Sequence, residues 1–593
     1  MKKIILISIT AIFVNILSSC VDMDLVPMNQ MTSASFKNDP SGIEYATIGC
    51  YSWFKSLRQN PSMPSAGSGG LVYSRLWFFM NEFRGDNVLI AGSSSDSFFK
   101  SYDYLDLAST PSCRYIWYCS YSMLYILNAN IDMGVEGFSL KDDHLLGENY
   151  FLRALVYLNM CDIYARPYSQ GANNPAVILY TDEPYEGEVV RATIGEVYAQ
   201  IEKDLKKAIE LMGQGYRRSN DAGYGWKGSA QGLLVRLYLY MERNQEVVNL
   251  VNEMLEGRTP AEALDPDLAT YFTRTKTSRE TLWCIGIHYP EDPSIATMYY
   301  QTPTGAVWGQ NYTSDPMYKL FTRYADDDIR WKDFHQFPPP VSPRPSVQGE
   351  PLQWMASWPI RTGTNPDYVT YSLDYRFLAE DAGGKYIVFM NQLDNAGSET
   401  YFQDTSTKVY IKEKIVNTYP EYYFTNNGVD VDVIVTPAAD VRYAYRKIYN
   451  TKFSGQDGDP MAISPPVIRW GELILNRAEA YAKLGNTDAA LADVNAIRTR
   501  AGLSGNQLMT AANMGPRGYE TALDVVLDER RLELCYEGFR SKDVFRNKRA
   551  LDRQFAGAHI WEVVNWDDPR IPHQISEDEM KLNPGVVRNP GKI

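Results

Sequence analysis

Two segments of the sequence place aromatic rings beside hydrogen-bonding side chains, a combination suited to binding a sugar. A flat ring can cover the C–H face of a sugar, while amide, carboxylate and guanidinium groups can satisfy its hydroxyl edges. Any one of these side chains, taken alone, fits the core or an interface better than a ligand contact. As groups, they give the candidate ligand-binding residues Tyr73, Trp77, Asn81, Arg84, Asp86, Tyr299, Tyr300, Trp308, Asn311, Tyr312, Trp354 and Trp358.

The sequence lacks the residue patterns of common catalytic sites. It has no G-x-S-x-G, no H-E-x-x-H, no phosphate-binding loop and no dinucleotide fingerprint, and its five histidines show no metal-ligand spacing. We therefore expect no enzyme activity, no cofactor and no metal site. Glycoside hydrolysis stays open as an alternative, because it needs only two carboxylates placed by the fold, and the chain has 72 acidic residues.

Two acidic segments have both a chemical and a structural interpretation. Glu529 and Glu533 could form a catalytic pair, but the spacing of Asp528 and Arg531 favours ion pairs on a helix. Three consecutive residues, 326–328, could bind calcium, yet consecutive side chains cannot all face one ion. We expect helical ion pairs in the first segment and a solvated acidic turn in the second.

Composition excludes some classes of protein. The chain has 593 residues, 45% of them hydrophobic, which is enough to bury large cores and excludes a fully disordered chain. Its 58 basic and 72 acidic residues give a net charge of −14, so nucleic acid is not an expected partner. The 42 Tyr and 12 Trp outnumber the 22 Phe, a bias towards rings that suit wet binding surfaces.

The N-terminus has the pattern of a bacterial lipoprotein. Two lysines precede an apolar run from Ile4 to Leu17, and small residues then lead to Cys20. This pattern predicts a signal peptide over 1–19, lipidation of Cys20 and a tether over 20–35. An ordinary signal peptide cut near Ser19 is the alternative.

The other six cysteines are too sparse for a disulfide scaffold. Cys113 and Cys119 could pair, but isolated buried thiols are the default expectation.

The elements that must position the candidate residues are mostly helices. We expect an N-terminal helical part over 36–258, in which 193–212 repeats apolar residues at helical spacing and 147–165 does the same. Thr193 and Glu196 have the spacing of a capping box.

Two stretches have the spacing of tetratricopeptide helix-turn-helix units, the clearer over 468–502 and a weaker copy over 230–254. Between them the helical period fails, and Pro, Gly, Tyr and Trp rise together. We expect a loop-rich ligand-binding region over 259–460 with short strands, for instance at 408–412 and 431–435. A C-terminal helical part and tail would span 461–593.

Several short motifs follow one another along the chain: Cys20 with Asp22 and Asp24, Trp117 to Asn130, Glu148 to Tyr164, Val197 to Ile209, Ile468 to Ala480, Glu529 to Arg540, Ile571-Pro572, Asn583-Pro584 and Asn589-Pro590-Gly591. In this order they resemble the SusD/RagB family of outer-membrane nutrient-binding lipoproteins of Bacteroidetes. The resemblance implies a mainly α fold of stacked tetratricopeptide-like helix pairs, with an irregular loop-rich ligand-binding region containing short strands. It also implies a partner, a SusC-like TonB-dependent outer-membrane transporter over which the protein lies as a lid.

The function expected from these features is capture of a glycan at the cell surface, on a protein held to the outer membrane by its lipid anchor. Three alternatives remain open. The cargo could be a peptide, the helix pairs could serve as a protein-interaction scaffold without a small ligand, or the protein could be the hydrolase described above.

Overall fold

The structure is a computed structural model. It describes residues 41–56, 72–90, 97–181, 189–292, 295, 311–336, 346–347, 350–361, 369–388, 408–416, 419–438, 441–442, 445–446, 448–555 and 557–590.

Helices are the main kind of regular structure in the described chain. In chain order they are α1 Gly42–Trp53, α2 Tyr73–Glu82, α3 Ser97–Tyr102, α4 Pro111–Met133, α5 Leu140–Tyr164, α6 Ile194–Met212, α7 Lys227–Tyr240, α8 Asn244–Leu255, α9 Pro260–Ala263, α10 Leu268–Tyr271, α11 Asp315–Thr322, α12 Ile329–Phe334, α13 Trp470–Lys483, α14 Thr487–Arg500, α15 Ala511–Met514, α16 Ala522–Glu533, α17 Arg540–Arg546 and α18 Glu577–Leu582. Short 3₁₀ helices lie at Tyr168–Gln170, Phe272–Arg274, Gln456–Gly458, Gly505–Gln507 and Gly515–Arg517.

The predicted helices are present, with one moved boundary. Helix α6 begins at the predicted capping box, in which Thr193 accepts from the Glu196 backbone and the Glu196 side chain accepts from Thr193. Helix α5 begins earlier than predicted, at Leu140, because the Ser139 side chain accepts from the Asp142 backbone and caps it there. Local capping chemistry thus fixes where both helices start.

The long helices pack in series, each on its neighbour, from α4 through α8 and on to α13, α14 and α16. Both predicted tetratricopeptide-like units are confirmed, as α7 with α8 and α13 with α14, and α8 packs directly on α13. Gly485 has a φ of +80° in the turn of the second unit. Gly147 lets α5 approach α6, since a Cβ there would lie 2.6 Å from Met212 Cγ. The mainly α, stacked fold is as predicted.

The strands are mostly short. In chain order they are β1 Val88–Ile90, β2 Thr281–Cys284, β3 Asn311–Thr313, β4 His335–Gln336, β5 Ser346–Val347, β6 Glu350–Pro351, β7 Trp354–Arg361, β8 Val369–Asp381, β9 Gly384–Val388, β10 Lys412–Val416, β11 Tyr419–Asn426, β12 Val429–Pro437, β13 Val441–Arg442, β14 Tyr445–Arg446, β15 Tyr449–Asn450, β16 Pro466–Arg469, β17 Leu551–Asp552, β18 Gly557–Trp561 and β19 Val563–Val564.

Seven strands form one antiparallel sheet beside the helices, in the order β10-β11-β12-β7-β8-β18, with β9 paired to β8. The strand predicted at 431–435 lies inside β12. The one predicted at 408–412 is displaced, because β10 begins at Lys412, where its pairing with Tyr423 of β11 starts. At 13 residues, β8 is longer than the short strands expected for this region.

A second, two-stranded ladder joins distant parts of the chain. Strand β1 pairs with β3, so that Val88 faces Thr313 and Ile90 faces Asn311. The two sequence segments that supply the candidate residues therefore meet at this ladder. The spacing of residues in the sequence did not predict this pairing of β1 with β3.

The six described cysteines, Cys50, Cys113, Cys119, Cys161, Cys284 and Cys535, are buried free thiols. The expectation of isolated thiols is confirmed, and Cys113 and Cys119 do not pair. No helix within the described ranges combines the length and the apolar character that a membrane span requires.

Candidate functional site: an aromatic face of the central sheet

Strand β7 carries two of the candidate tryptophans. Successive side chains of a strand point to opposite faces of the sheet, so Trp354 and Trp358 share one face with Ala356 between them. A rise of roughly 3.3 Å per residue separates the two tryptophans by about 13 Å along the strand. Trp354 is 36% exposed and Trp358 is half-buried.

The opposite face of the sheet carries a separate buried cluster, and at β12 this face reaches the helical body. Met355 and Phe377 face each other across β7 and β8 and are buried. Ile434 of β12 packs on the main core, and the Tyr318 hydroxyl of α11 donates to the Val435 carbonyl at 3.3 Å. Both faces of the sheet therefore hold buried residues, and on the face with the two tryptophans these are Ala356, Leu378, Ile387, Phe424 and Val433.

Charged side chains of β8 and β9 lie beside the two tryptophans. Asp374 faces Trp358 across the strands, and Arg376 donates to the Asp374 carboxylate. The Arg376 guanidinium carbon lies 5.7 Å from the Trp358 ring centroid, and Lys385 Nζ lies 5.0 Å from that of Trp354. Each tryptophan thus has a hydrogen-bond donor next to its ring.

Strand β11 extends the same face. Phe424 packs edge-on against Trp358, with ring centroids 5.0 Å apart. Tyr422 lies two residues away on the same face, and burial, followed by the charge of Glu413, raises its pKa, so its hydroxyl stays protonated at neutral pH. We name this surface the aromatic face, consisting of Trp354, Trp358, Asp374, Arg376, Lys385 and Tyr422.

The aromatic face combines the two kinds of group that a glycan needs. Its exposed indole can cover a sugar C–H face, while the carboxylate, guanidinium, ammonium and phenol groups can bond hydroxyls. The distance between the two tryptophans suits an extended chain of sugars better than one ring.

The first group of candidates lies in the core instead. Tyr73 is fully buried, and its hydroxyl accepts from Asn159 at 2.9 Å. Trp77, 8% exposed, packs edge-on against Tyr73, and the Asn81 amide donates to the Trp77 carbonyl at 2.7 Å. These side chains are buried and contact neighbouring groups of the protein, although Asn81 also lines a cavity beside α5 and α17, so their contact with a ligand stays a prediction.

Arg84 and Asp86 are also buried and paired. Arg84 lies 2.5 Å from the Asp106 carboxylate and donates to the Ile571 carbonyl at 3.0 Å. Burial would raise the pKa of Asp86, but Arg531 and Arg540 beside it hold that pKa below its ordinary value. These two residues join α2 to the C-terminal part of the chain, and Arg84 also lines a cavity beside α5 and α17, so their predicted ligand role stays a prediction.

Asn311 and Tyr312 lie buried in β3, where the ladder with β1 places them. Their contact with a ligand likewise stays a prediction. Tyr299, Tyr300 and Trp308, like Cys20, lie outside the described residues.

Sequence reasoning missed four residues of the aromatic face, namely Asp374, Arg376, Lys385 and Tyr422. A signal for two of them was present. The run from Tyr371 to Phe377 alternates apolar residues with Ser, Asp and Arg, the period of a strand with one buried face. Because this region was predicted to be irregular, the alternation of apolar and polar residues was not interpreted as a strand.

One buried group has the composition of a metal site, with ligand atoms of Asp106, Cys113 and His573 close together. Arg84 already supplies positive charge there, 2.5 Å from Asp106 and 3.2 Å from His573 Nδ1. Burial and Arg84 together lower the pKa of His573, although Asp106 opposes them. The arrangement suits a structural Arg–Asp–His cluster better than a cation site.

The acidic pair of α16 is committed to structure. Glu529 accepts from Arg330 at 2.7 Å and from Arg498 at 2.8 Å. Glu533 accepts from Arg469 at 2.7 Å and from Arg500 at 2.5 Å, deep in the protein. The structural interpretation of this pair therefore fits better than the catalytic one.

The contacts of this segment nevertheless differ from the predicted helical pairs. Arg531 forms its ion pair with Asp86, at 3.1 Å, while Asp528 of its own helix acts on it through its charge. The acidic turn at 326–328 also differs in part, because Asp328 is buried, caps α12 and pairs with Arg330 at 2.8 Å. In both places the partner comes from tertiary packing or from the next helix.

Comparisons with known proteins agree with this architecture. Residues 284–591 match the model of the SusD family, and residues 89–239 match a family described as starch-binding and associating with the outer membrane. No curated protein matches the chain.

Solved structures share the fold at low sequence identity. A SusD superfamily protein from Bacteroides thetaiotaomicron is 19% identical, with a TM-score of 0.63, over 92% of this chain and 99% of the other. A SusD-like carbohydrate binding protein from Bacteroides vulgatus is 17% identical, with a TM-score of 0.60, over 92% and 96%. A laminarin binding SusD-like protein is 18% identical, with a TM-score of 0.56, over 93% and 100%.

Proposed function

Because the chain belongs to the SusD family, we propose that it captures an oligosaccharide or polysaccharide fragment at the cell surface and delivers it to a SusC-like TonB-dependent outer-membrane transporter. Proteins of this family are binding proteins, and one neighbour of the same fold binds laminarin. Capture requires no covalent chemistry by this chain.

The aromatic face is the observation that carries this proposal. Trp354 offers an exposed ring with Lys385 beside it, and Trp358 lies farther along the strand with Arg376. Exposed stacking and polar contacts compete with water, so we expect modest affinity for each sugar and useful affinity only for a chain of several.

The proposed location of the protein is the outer membrane, and its proposed partner is the transporter. The family is associated with the outer membrane, and lipidation of Cys20 would hold the chain there, facing the cell exterior. An anchor confines the protein and its transporter to one plane, which raises their effective concentration. A Cys20→Ala variant should leave the membrane fraction, and the transporter should co-purify with the wild-type protein.

The test of glycan capture is native electrophoresis of the mature chain through gels that contain plant, host or microbial polysaccharides. Retardation by one polysaccharide, without release of reducing ends, would support the proposal. No retardation by any polysaccharide would favour the scaffold alternative, in which only the transporter is bound. Released reducing ends would show that the protein is a hydrolase.

One observation favours a peptide as the alternative cargo. Within the described part of the sheet, β10 pairs only with β11, and Ile415 on β10 is exposed. An extended peptide could add to such an edge through backbone hydrogen bonds. Peptides that bind the mature chain, while no polysaccharide does, would favour this alternative.

A further inference from the structure

A small cavity lies between the helix stack and α17. Its walls include the end of α5, the start of α6, the end of α7 and one side of α17, and it shares no residue with the aromatic face. The space inside it is about 50 Å³, enough for roughly three to five water molecules. A ligand of only a few atoms fits there, whereas a sugar ring does not.

Cations outnumber anions among the described side chains that line the cavity. Asp162 supplies one carboxylate, and the four cations are Arg84, Arg166, Lys542 and Arg546. Three of these cations have a carboxylate partner, in the pairs Lys542 with Asp162 at 2.5 Å, Arg84 with Asp106 at 2.5 Å and Arg546 with Glu479 at 2.6 Å. The exception is Arg166.

The Arg166 guanidinium donates only to neutral acceptors. These are the Gln170 side-chain oxygen at 3.0 Å and the carbonyls of Asp568 at 3.0 Å and Asp567 at 3.2 Å. In the described part of the chain, no carboxylate pairs with it. A hydrogen bond from a guanidinium to an anion is stronger than one to a neutral acceptor, so this wall of the cavity favours a negative ligand.

A hydroxyl in the cavity wall has no partner either. Tyr240 is only 6% exposed, yet its hydroxyl makes no hydrogen bond. Burial, followed by the charge of Asp162, raises the pKa of Tyr240 well above its ordinary value, so the hydroxyl keeps its proton and can donate it. A buried donor without an acceptor costs free energy, which a bound anion would recover.

We propose that this cavity binds one small monovalent anion of the size of chloride, held by the Arg166 guanidinium and the Tyr240 hydroxyl. The site goes beyond the capture of a glycan and does not depend on it. The anion would lie where the helix stack meets the C-terminal part of the chain.

The test is the line width of the chloride NMR signal in solutions of sodium chloride with the mature chain. Binding to the protein should broaden this signal, and added bromide should reverse the broadening by competing for the same site. Because the chain has a net charge of −14, its surface as a whole repels chloride, so the broadening would report a local site.

The first variant is Arg166→Gln, which removes the charge but keeps an amide that can donate to the neighbouring carbonyls. It should weaken chloride binding at least about tenfold, the value of a hydrogen bond to a charged group. Arg258→Gln is the matched control, since Arg258 donates to the carbonyls of Leu255 and Met254 and lies outside the cavity. It should leave the broadening unchanged.

A second variant keeps the test valid if the first one misfolds. Tyr240→Phe removes only the unpartnered hydroxyl and should weaken chloride binding about three- to tenfold. Tyr238→Phe is its control, because that hydroxyl donates to Glu202 at 3.2 Å and does not line the cavity.

Three results would overturn the proposal. If the mature chain does not broaden the chloride signal, or if folded Arg166→Gln and Tyr240→Phe broaden it as much as wild type, the cavity holds water only. If Arg258→Gln loses as much broadening as Arg166→Gln, chloride is attracted to exposed arginines and not to this cavity.

Discussion

Replacing Trp354 by alanine tests the aromatic face most directly. The side chain is partly exposed on β7, and Lys385 Nζ lies 5.0 Å from its ring centroid. The part of the ring already buried in the fold, roughly 160 Å², sets the cost, so the substitution should lower the free energy of unfolding by up to about 4 kcal/mol. A loss of binding reports on the ligand only once urea unfolding shows that the variant is folded under the conditions of the titration.

The expected loss follows from the exposed area. A tryptophan buries up to about 250 Å², so 36% exposure leaves roughly 90 Å² for a sugar to cover. At about 25 cal/mol per Å², this area contributes up to about 2 kcal/mol. The dissociation constant of the bound glycan should rise by up to about 30-fold.

Calorimetric titration with an oligosaccharide of the retarding polysaccharide measures this change. Trp566→Ala is a matched control, because Trp566 is also 36% exposed and has Lys548 Nζ 5.9 Å from its ring, but lies outside the sheet. The reasoning is refuted if folded Trp354→Ala binds within twofold of wild type, or if Trp566→Ala loses as much affinity.

Two further predictions concern buried charges. Glu533→Gln should lower the free energy of unfolding by about 3–5 kcal/mol, because Arg469 and Arg500 lose a buried partner. Urea unfolding measures this loss. As a control, Glu421→Gln should cost no more than about 1 kcal/mol, because Glu421 is half-exposed and lies 3.9 Å from Lys414; equal effects of the two substitutions would contradict the prediction. Burial raises the pKa of Asp103 from 3.8 to about 6, so its contribution to stability is present below pH 4 and is lost as the pH rises through 6. Asp103→Asn should therefore increase the free energy of unfolding at pH 8 by up to about 3 kcal/mol and change it little at pH 4, and a gain that did not vary with pH would refute the assignment.

Features that depend on near neighbours in the chain were predictable. The start of α6 needs only Thr193 and Glu196, three residues apart, and both tetratricopeptide-like units follow from apolar spacing within one segment. The family also followed from the sequence, because its motifs are short and recur in a fixed order. The outer-membrane location and the SusC-like transporter partner rest on the same family resemblance and stay predictions.

Strands and their pairing were less predictable. A strand gains its hydrogen bonds from residues that are distant in the sequence. The register of β10 on β11 moved its start to Lys412, and the joining of β1 to β3 linked residues more than 200 positions apart. The alternation in β8 could have been recognised, but the partner strands could not.

What only the tertiary structure decided is which aromatic and charged side chains face solvent. Trp77 and Trp354 are the same residue type beside similar polar neighbours, yet one is 8% exposed in the core and the other 36% exposed on the sheet. The sequence by itself determined the helices, their stacking units and the kind of residue able to bind a sugar. Burial depends on the sum of contacts from many distant segments, as Arg84 with Asp106 and Ile571 illustrates. The spacing of residues within one segment does not contain this information, so only the tertiary structure decides whether an aromatic side chain lies in the core or on a binding surface.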